Sequence, residues 1–162
     1  MEHLTFVIKS NEEIWELLDK NLNHIFINAF TPHEPIEWWK TDIRISDDLN
    51  LKDASVRSLS FDLLTDLKNF RKILGLNTRQ LRVYQFNKSV PDTLSIEHLP
   101  EDSKFKILQE NGLKHFFWID FEFITVYSFD GDFIRSIETH SIFEERIRDR
   151  RAFVKRQQES KK

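Results

Sequence analysis

The chain has 162 residues, 40% hydrophobic and 31% charged, with a formal net charge of −3, 15 Phe, 4 Trp, 3 Gly and no Cys. That length suits one domain burying about 68–70% of its unfolded surface, while the lack of cysteine excludes a disulfide framework and thiolate chemistry. Three separated glycines exclude a glycine-rich phosphate cradle, and no apolar run approaches the ~20 residues that span a bilayer.

The opening Met1-Glu2-His3 lacks the basic and apolar regions of a secretory signal. A cytoplasmic location is expected. Residues 3–9, HLTFVIK, alternate and predict a first strand. Ser10 and Glu13 have the spacing of a capping box, opening a helix whose stripe is Ile14, Leu17, Leu18 and Leu22 and whose end falls near Asn23. His24 to Phe30 predicts a second strand, with either Ile25 and Ile27 or Phe26 and Phe30 inward. Pro32 and Pro35 break it and lead to Trp38-Trp39. Thr41 to Ser46 predicts a short strand, and Asp47 to Ser58 a polar connection.

From Ser60, the spacing of Phe61, Leu64, Leu67, Ile73 and Leu74 predicts a helix closed by Gly75. Leu81 to Phe86 reads as a strand, Pro91 to Pro100 as a loop, and Glu101 to Glu110 as a short helix closed by Asn111-Gly112. Residues 115–129 are aromatic and β-branched with almost no breaker, which predicts a long strand. Its odd positions, from His115, Phe117 and Ile119 through Phe121 and Phe123 to Tyr127, carry no acid and are the expected core face. Its even positions include Trp118, Asp120 and Glu122. The run exceeds the usual strand of about 5–6 residues, so a bend is expected near Trp118 to Asp120. Asp130-Gly131 predicts a type I′ hairpin turn, pairing Tyr127 with Ile134, Ile124 with Ile137 and Val126 with Arg135. Ser141 to Glu144 has the spacing of a second capping box, opening a helix through about Gln157 with Phe143, Ile147 and Val154 buried, beside Ile142 or Phe153. The expected fold is α+β: an antiparallel sheet of about five or six strands around a long C-terminal β-hairpin, with three or four helices packed mainly on one face. Residues 1–157 form the expected single domain, and 158–162 a disordered basic tail.

Charge is unevenly placed. From His140 to Lys162 there are 8 basic and 4 acidic residues, net +4, which leaves 16 basic and 23 acidic residues, net −7, in the remainder. An acidic body therefore carries a basic helix. Asp120 and Glu122, two apart on a strand, would stand about 6.6 Å apart along one face. A restriction-type nuclease would place Lys two residues after the second acid, where Ile124 stands. The six histidines show no HExxH or other paired ligand spacing. No nucleophile elbow, Walker loop or dinucleotide fingerprint is present. No catalytic residue, metal ligand or cofactor follows from these patterns.

The expectation is a non-enzymatic, cytoplasmic protein-binding module, with a toxin-neutralising immunity protein as the natural subclass. Such an inhibitor presents an acidic surface to a basic toxin enzyme. The expected partner surface comprises Trp118, Asp120, Glu122, Asp130 and Asp132, with Trp38-Trp39 as an aromatic anchor. The alternative is a nucleic-acid-associated protein or metal-dependent nuclease using Asp120/Glu122 and the basic C-terminal helix. Glu144, Glu145 and Asp149 interrupt that helix's basic stretch, which disfavours nucleic acid.

Overall fold

A computed structural model describes residues 1–30, 54–56, 60–74, 80–91 and 94–162. The proline-containing loop, Trp38-Trp39, the strand expected at 41–46 and Gly75 lie outside the described residues. The chain forms an α+β fold around one antiparallel sheet. Its strands are β1 (Glu2–Val7), β2 (His24–Phe30), β3 (Ala54–Val56), β4 (Ser60–Thr65), β5 (Gln80–Phe86), β6 (Leu113–Asp120) and β7 (Phe123–Ser128). They lie in the order β1-β7-β6-β5-β2-β4-β3, seven strands among the described residues. Among the described residues the helices are α1 (Asn11–Leu17), α2 (Leu67–Leu74), α3 (Lys104–Glu110), α4 (Gly131–Glu138) and α5 (Glu144–Ser160), with a 3-10 turn at Ile96–His98.

The sheet separates two cores. On one face Phe6, Ile27, Val83, Phe117, Ile124 and Val126 meet Ile14 of α1, Phe70 of α2, Ile134 of α4 and Ile147 of α5. On the other, Tyr84, Phe86 and Phe116 pack against Leu108 of α3, Ile96 and the partly buried Phe105. Helices thus lie mainly on one face, with α3 on the other. Strand alternation explains the division: Val83 and Tyr84, or Phe116 and Phe117, are neighbours in sequence and on opposite faces.

The hairpin expected across Asp130-Gly131 does not form; a different one joins β6 and β7. β6 and β7 pair from Asp120↔Phe123 to His115↔Ser128, so Phe121-Glu122 is the two-residue turn. Phe121 takes φ 57°, a left-handed conformation that a bulky residue reaches only at a cost. The turn inverts parity: Ile124 and Val126 are buried with Phe117 and Ile119, and Phe123 faces outward. The expected pairings of Tyr127, Ile124 and Val126 across Asp130-Gly131 do not occur; these residues face Phe116, Ile119 and Phe117. Asp130 is the N-cap of α4, its carboxylate accepting from the Asp132 and Phe133 amides. Phe133, Ile134 and Ile137 have helical spacing, which turns the segment after Gly131 into a helix with its apolar residues inward.

Other boundaries move for local reasons. Ser60–Thr65 is a strand, because it pairs with β2 on one side and β3 on the other; the helix begins only at Leu67. Ala54–Val56, expected within a polar connection, is β3. α1 ends at Leu17 rather than near Asn23, since Asp19 turns the chain by accepting from the Asn21 amide at 3.0 Å. Ser10 is its N-cap without a side-chain bond, and Glu13 reaches back to the Lys9 amide at 2.7 Å instead of the Ser10 amide. The second capping box does not form either: α5 starts at Glu144, and His140 Nδ1 accepts from the Ile142 amide at 3.1 Å. α5 runs to Ser160, past Gln157 and through most of the segment expected to be a disordered tail. Phe143 and Ile147 are buried, whereas Ile142, Phe153 and Val154 are exposed.

Candidate functional site

Two places bring chemically capable side chains together. The first is internal. His115 Nδ1 lies 2.8 Å from Ser128 Oγ, and His115 Nε2 lies 3.0 Å from Asp19 Oδ2. Serine, imidazole and carboxylate in series suggest a nucleophilic relay. Burial decides otherwise, because His115 and Ser128 are each 1% exposed. Ser128 Oγ also accepts from the Asp130 amide at 2.9 Å and has the Asp130 carbonyl at 3.1 Å. The hydroxyl is saturated and no substrate reaches it. The Phe133 ring stacks on the imidazole at 3.7 Å between centroids. Burial pushes the His115 pKa below its ordinary value, although Asp19 pulls the other way. This array fastens the turn after α1 and the start of α4 to the sheet.

The second place is the sheet face around the β6–β7 turn. Register sets a transverse row of Thr5, Thr125, Trp118, Arg82, Asn28 and Asp62 on one face. A neighbouring row holds Val7, Phe123, Asp120 and Gln80. The first row is tied internally: Thr5 Oγ1 and Thr125 Oγ1 are 3.1 Å apart, and the buried Asn28 Nδ2 donates to Asp62 Oδ1 at 2.6 Å. Arg82 lies over the Trp118 ring at 5.1 Å, and Gln80 Nε2 donates to Asp120 Oδ1 at 3.2 Å. Arg150 lies over both Phe123 and Phe153, at 5.6 and 5.5 Å. Trp118 is 45% exposed, Phe121 51%, Phe123 37% and Phe153 45%. Large rings with guanidinium partners and two exposed carboxylates thus share this end of the sheet.

Of the predicted partner residues, Trp118, Asp120 and Glu122 come together here. Asp120 and Glu122 do not share a strand face, because Glu122 belongs to the turn. Asp130 and Asp132 lie beyond the other end of β7, where Asp130 caps α4 and Asp132 pairs with Arg135. One continuous acidic surface is therefore not formed. Trp38 and Trp39 lie outside the described residues. Sequence reasoning missed Arg82, expected Phe121 and Phe123 on the core face and Phe153 or Ile142 beside the buried stripe, and gave Arg150 only as part of the basic helix. The parity inversion that exposes Phe123 had one signal, a run too long for a single strand. Among the described residues no three His, Asp or Glu side chains gather as metal ligands would. No helix among them is long and apolar enough to cross a membrane. Comparison with protein-family models, curated proteins and solved structures finds no match to this chain.

Proposed function

We propose that the chain is a non-enzymatic, cytoplasmic protein-binding module that offers the β6–β7 end of its sheet to a protein partner. Within that class, it acts as an immunity-type inhibitor that neutralises a basic toxin enzyme by direct binding. The observation that carries this reading is Phe121. It sits in a left-handed turn position and is half exposed, so it disfavours folding through both backbone and solvation. Strain of this kind gathers at binding sites. Trp118 and Phe123 flank it as further exposed rings, the residue types that dominate binding hot spots. Asp120 and Glu122 are exposed, so they steer a basic partner rather than anchor it.

The test is a partner captured from the native host, purified, and measured against variants. Trp118→Ala and Phe123→Ala should each weaken binding by about 2 kcal/mol or more, with melting curves close to the parent. Asp120→Asn with Glu122→Gln should lower the association rate and its salt dependence more than it raises dissociation. Undiminished affinity in both aromatic variants would remove this surface from consideration. Salt-sensitive retention of DNA by the purified chain would favour the nucleic-acid alternative.

A further inference from the structure

β1 is an edge strand: among the described residues it pairs with β7 on one side only. Two hydrogen bonds show which of its backbone groups face outward. The Ile8 amide donates to the Glu122 carbonyl at 2.7 Å, continuing the β1–β7 register. Arg146 donates to the Val7 carbonyl at 3.3 Å, from outside the ladder. In an antiparallel pair, residues bonded to the neighbour alternate with residues turned away. Leu4 and Phe6 are accordingly bonded to β7, and His3, Thr5 and Val7 turn their N–H and C=O groups outward. His3 and Thr5 present theirs roughly 7 Å apart. Among the described residues no partner meets these groups.

α5 supplies a second wall. Phe143 packs on Phe6 at 5.3 Å, Arg146 caps Val7, and the helix then follows the open edge toward His3. Between helix and edge lies an open cleft of about 330 Å³, whose lining includes His3, Thr5, Ile147, Arg150, Val154 and Lys155. Its helix wall is cationic and incompletely paired. Arg150 Nε is buried without a hydrogen-bond partner. Lys155 is exposed and has no ion-pair partner among the described residues, whereas Arg151 meets Glu138 at 3.2 Å. Charge-assisted bonds from the cleft's guanidinium and ammonium groups to a carboxylate are stronger than bonds between neutral groups.

We propose that this cleft docks an extended acidic segment of another protein, added to β1 as a further strand. The outward groups of His3 and Thr5 bond its main chain, and Arg150 and Lys155 receive its carboxylates. Strand addition to an exposed edge is a recurrent mode of peptide recognition, with main-chain bonds giving affinity and side chains giving selectivity. A second copy of β1 complements the site poorly, since its one carboxylate, Glu2, stands at the end of the strand and residues 3–7, HLTFV, bring none. Nucleic acid phosphates could accept from the His3 and Thr5 amides but would offer their carbonyls no donor. The cleft shares Arg150 with the hairpin end but not Trp118, Phe121 or Asp120, and its test changes only Lys155 and Thr5, so it can fail while the hairpin-end reading stands, and the reverse.

The experiment uses the full chain and three probes: a labelled peptide of alternating Glu and Val, the same peptide with Lys for Glu, and duplex DNA. The Glu peptide should bind saturably and slow hydrogen exchange at the His3 and Thr5 amides by roughly tenfold or more, and the Lys peptide should not bind. Lys155→Glu should weaken the Glu peptide roughly tenfold. Thr5→Pro, which removes an outward donor and spares the ladder to β7, should abolish the protection at His3; if that variant misfolds, Lys155→Glu and the exchange data still decide. Equal affinity for Lys155→Glu, or binding without protection at His3 and Thr5, overturns the proposal. So does preferential binding of DNA, or protection of those amides by self-association alone.

Discussion

Phe121 and His115 show how single residues depart from what their chemistry suggests in isolation. At Phe121 the left-handed backbone makes glycine the better folding choice. Phe121→Gly is expected to stabilise the chain by about 1 kcal/mol, raising Tm by about 2–4 °C, while weakening partner binding; a thermal melt and one affinity measurement check both. At His115, burial holds the folded-state pKa below the ordinary value of about 6.5. The unfolded chain then binds the proton first as pH falls, so stability is full above about 6.5 and declines below it. Melts at pH 7.5 and 5.5, with an NMR titration of the imidazole, check the sign; in His115→Gln the decline should be smaller. Glu13 behaves oppositely in type but not in direction. Hydrogen bonds from Arg146, at 2.6 and 2.9 Å, hold its carboxylate below the usual range. Its contribution is present at neutral pH and is lost as pH falls through that depressed value. Glu13→Gln should cost about 2 kcal/mol at pH 7, because Arg146 loses its charged partner.

Elements are set by competition between local signals. Asp130-Gly131 has the residues of a hairpin turn, yet Asp is equally suited to cap a helix, and the apolar spacing that follows favours the helix. The two possibilities predict different mutants. In a type I′ turn Gly131→Ala would be strained. At the first position of α4 the added Cβ meets only the ends of the Glu2 and Arg135 side chains, so Gly131→Ala should melt at or above the parent. Gly112 is the contrast: with φ +96° and Asn87 Oδ1 only 2.5 Å from an added Cβ, Gly112→Ala should cost more than about 1 kcal/mol. Asp130→Ala should cost about 1 kcal/mol through the lost cap. Thermal denaturation of the three variants separates helix from hairpin.

At the scale of the whole molecule, alternation along the strands divides the chain's rings between two cores of unequal size. Phe117→Ala, in the larger core with 0% exposure, should cost about 3–5 kcal/mol in chemical denaturation. Phe105→Ala, in the smaller core and partly buried, should cost less. The α+β class, the antiparallel sheet, the preponderance of helices on one face and the core positions His115, Phe117 and Ile119 all follow from local periodicity, which the sequence carries directly. Periodicity also contains the acidic body and the basic helix, since charge is simply counted. It does not contain where a long apolar run folds back. Phe121-Glu122 bears no turn residue; the reversal is imposed because β6 and β7 bury Ile119 against Ile124 and Phe117 against Val126. That one reversal exposes Phe123, removes Glu122 from the strand face, and leaves Asp130 free to cap α4. The open edge of β1 beside α5 is likewise a product of strand order, a relation between residues more than a hundred positions apart that no local pattern encodes.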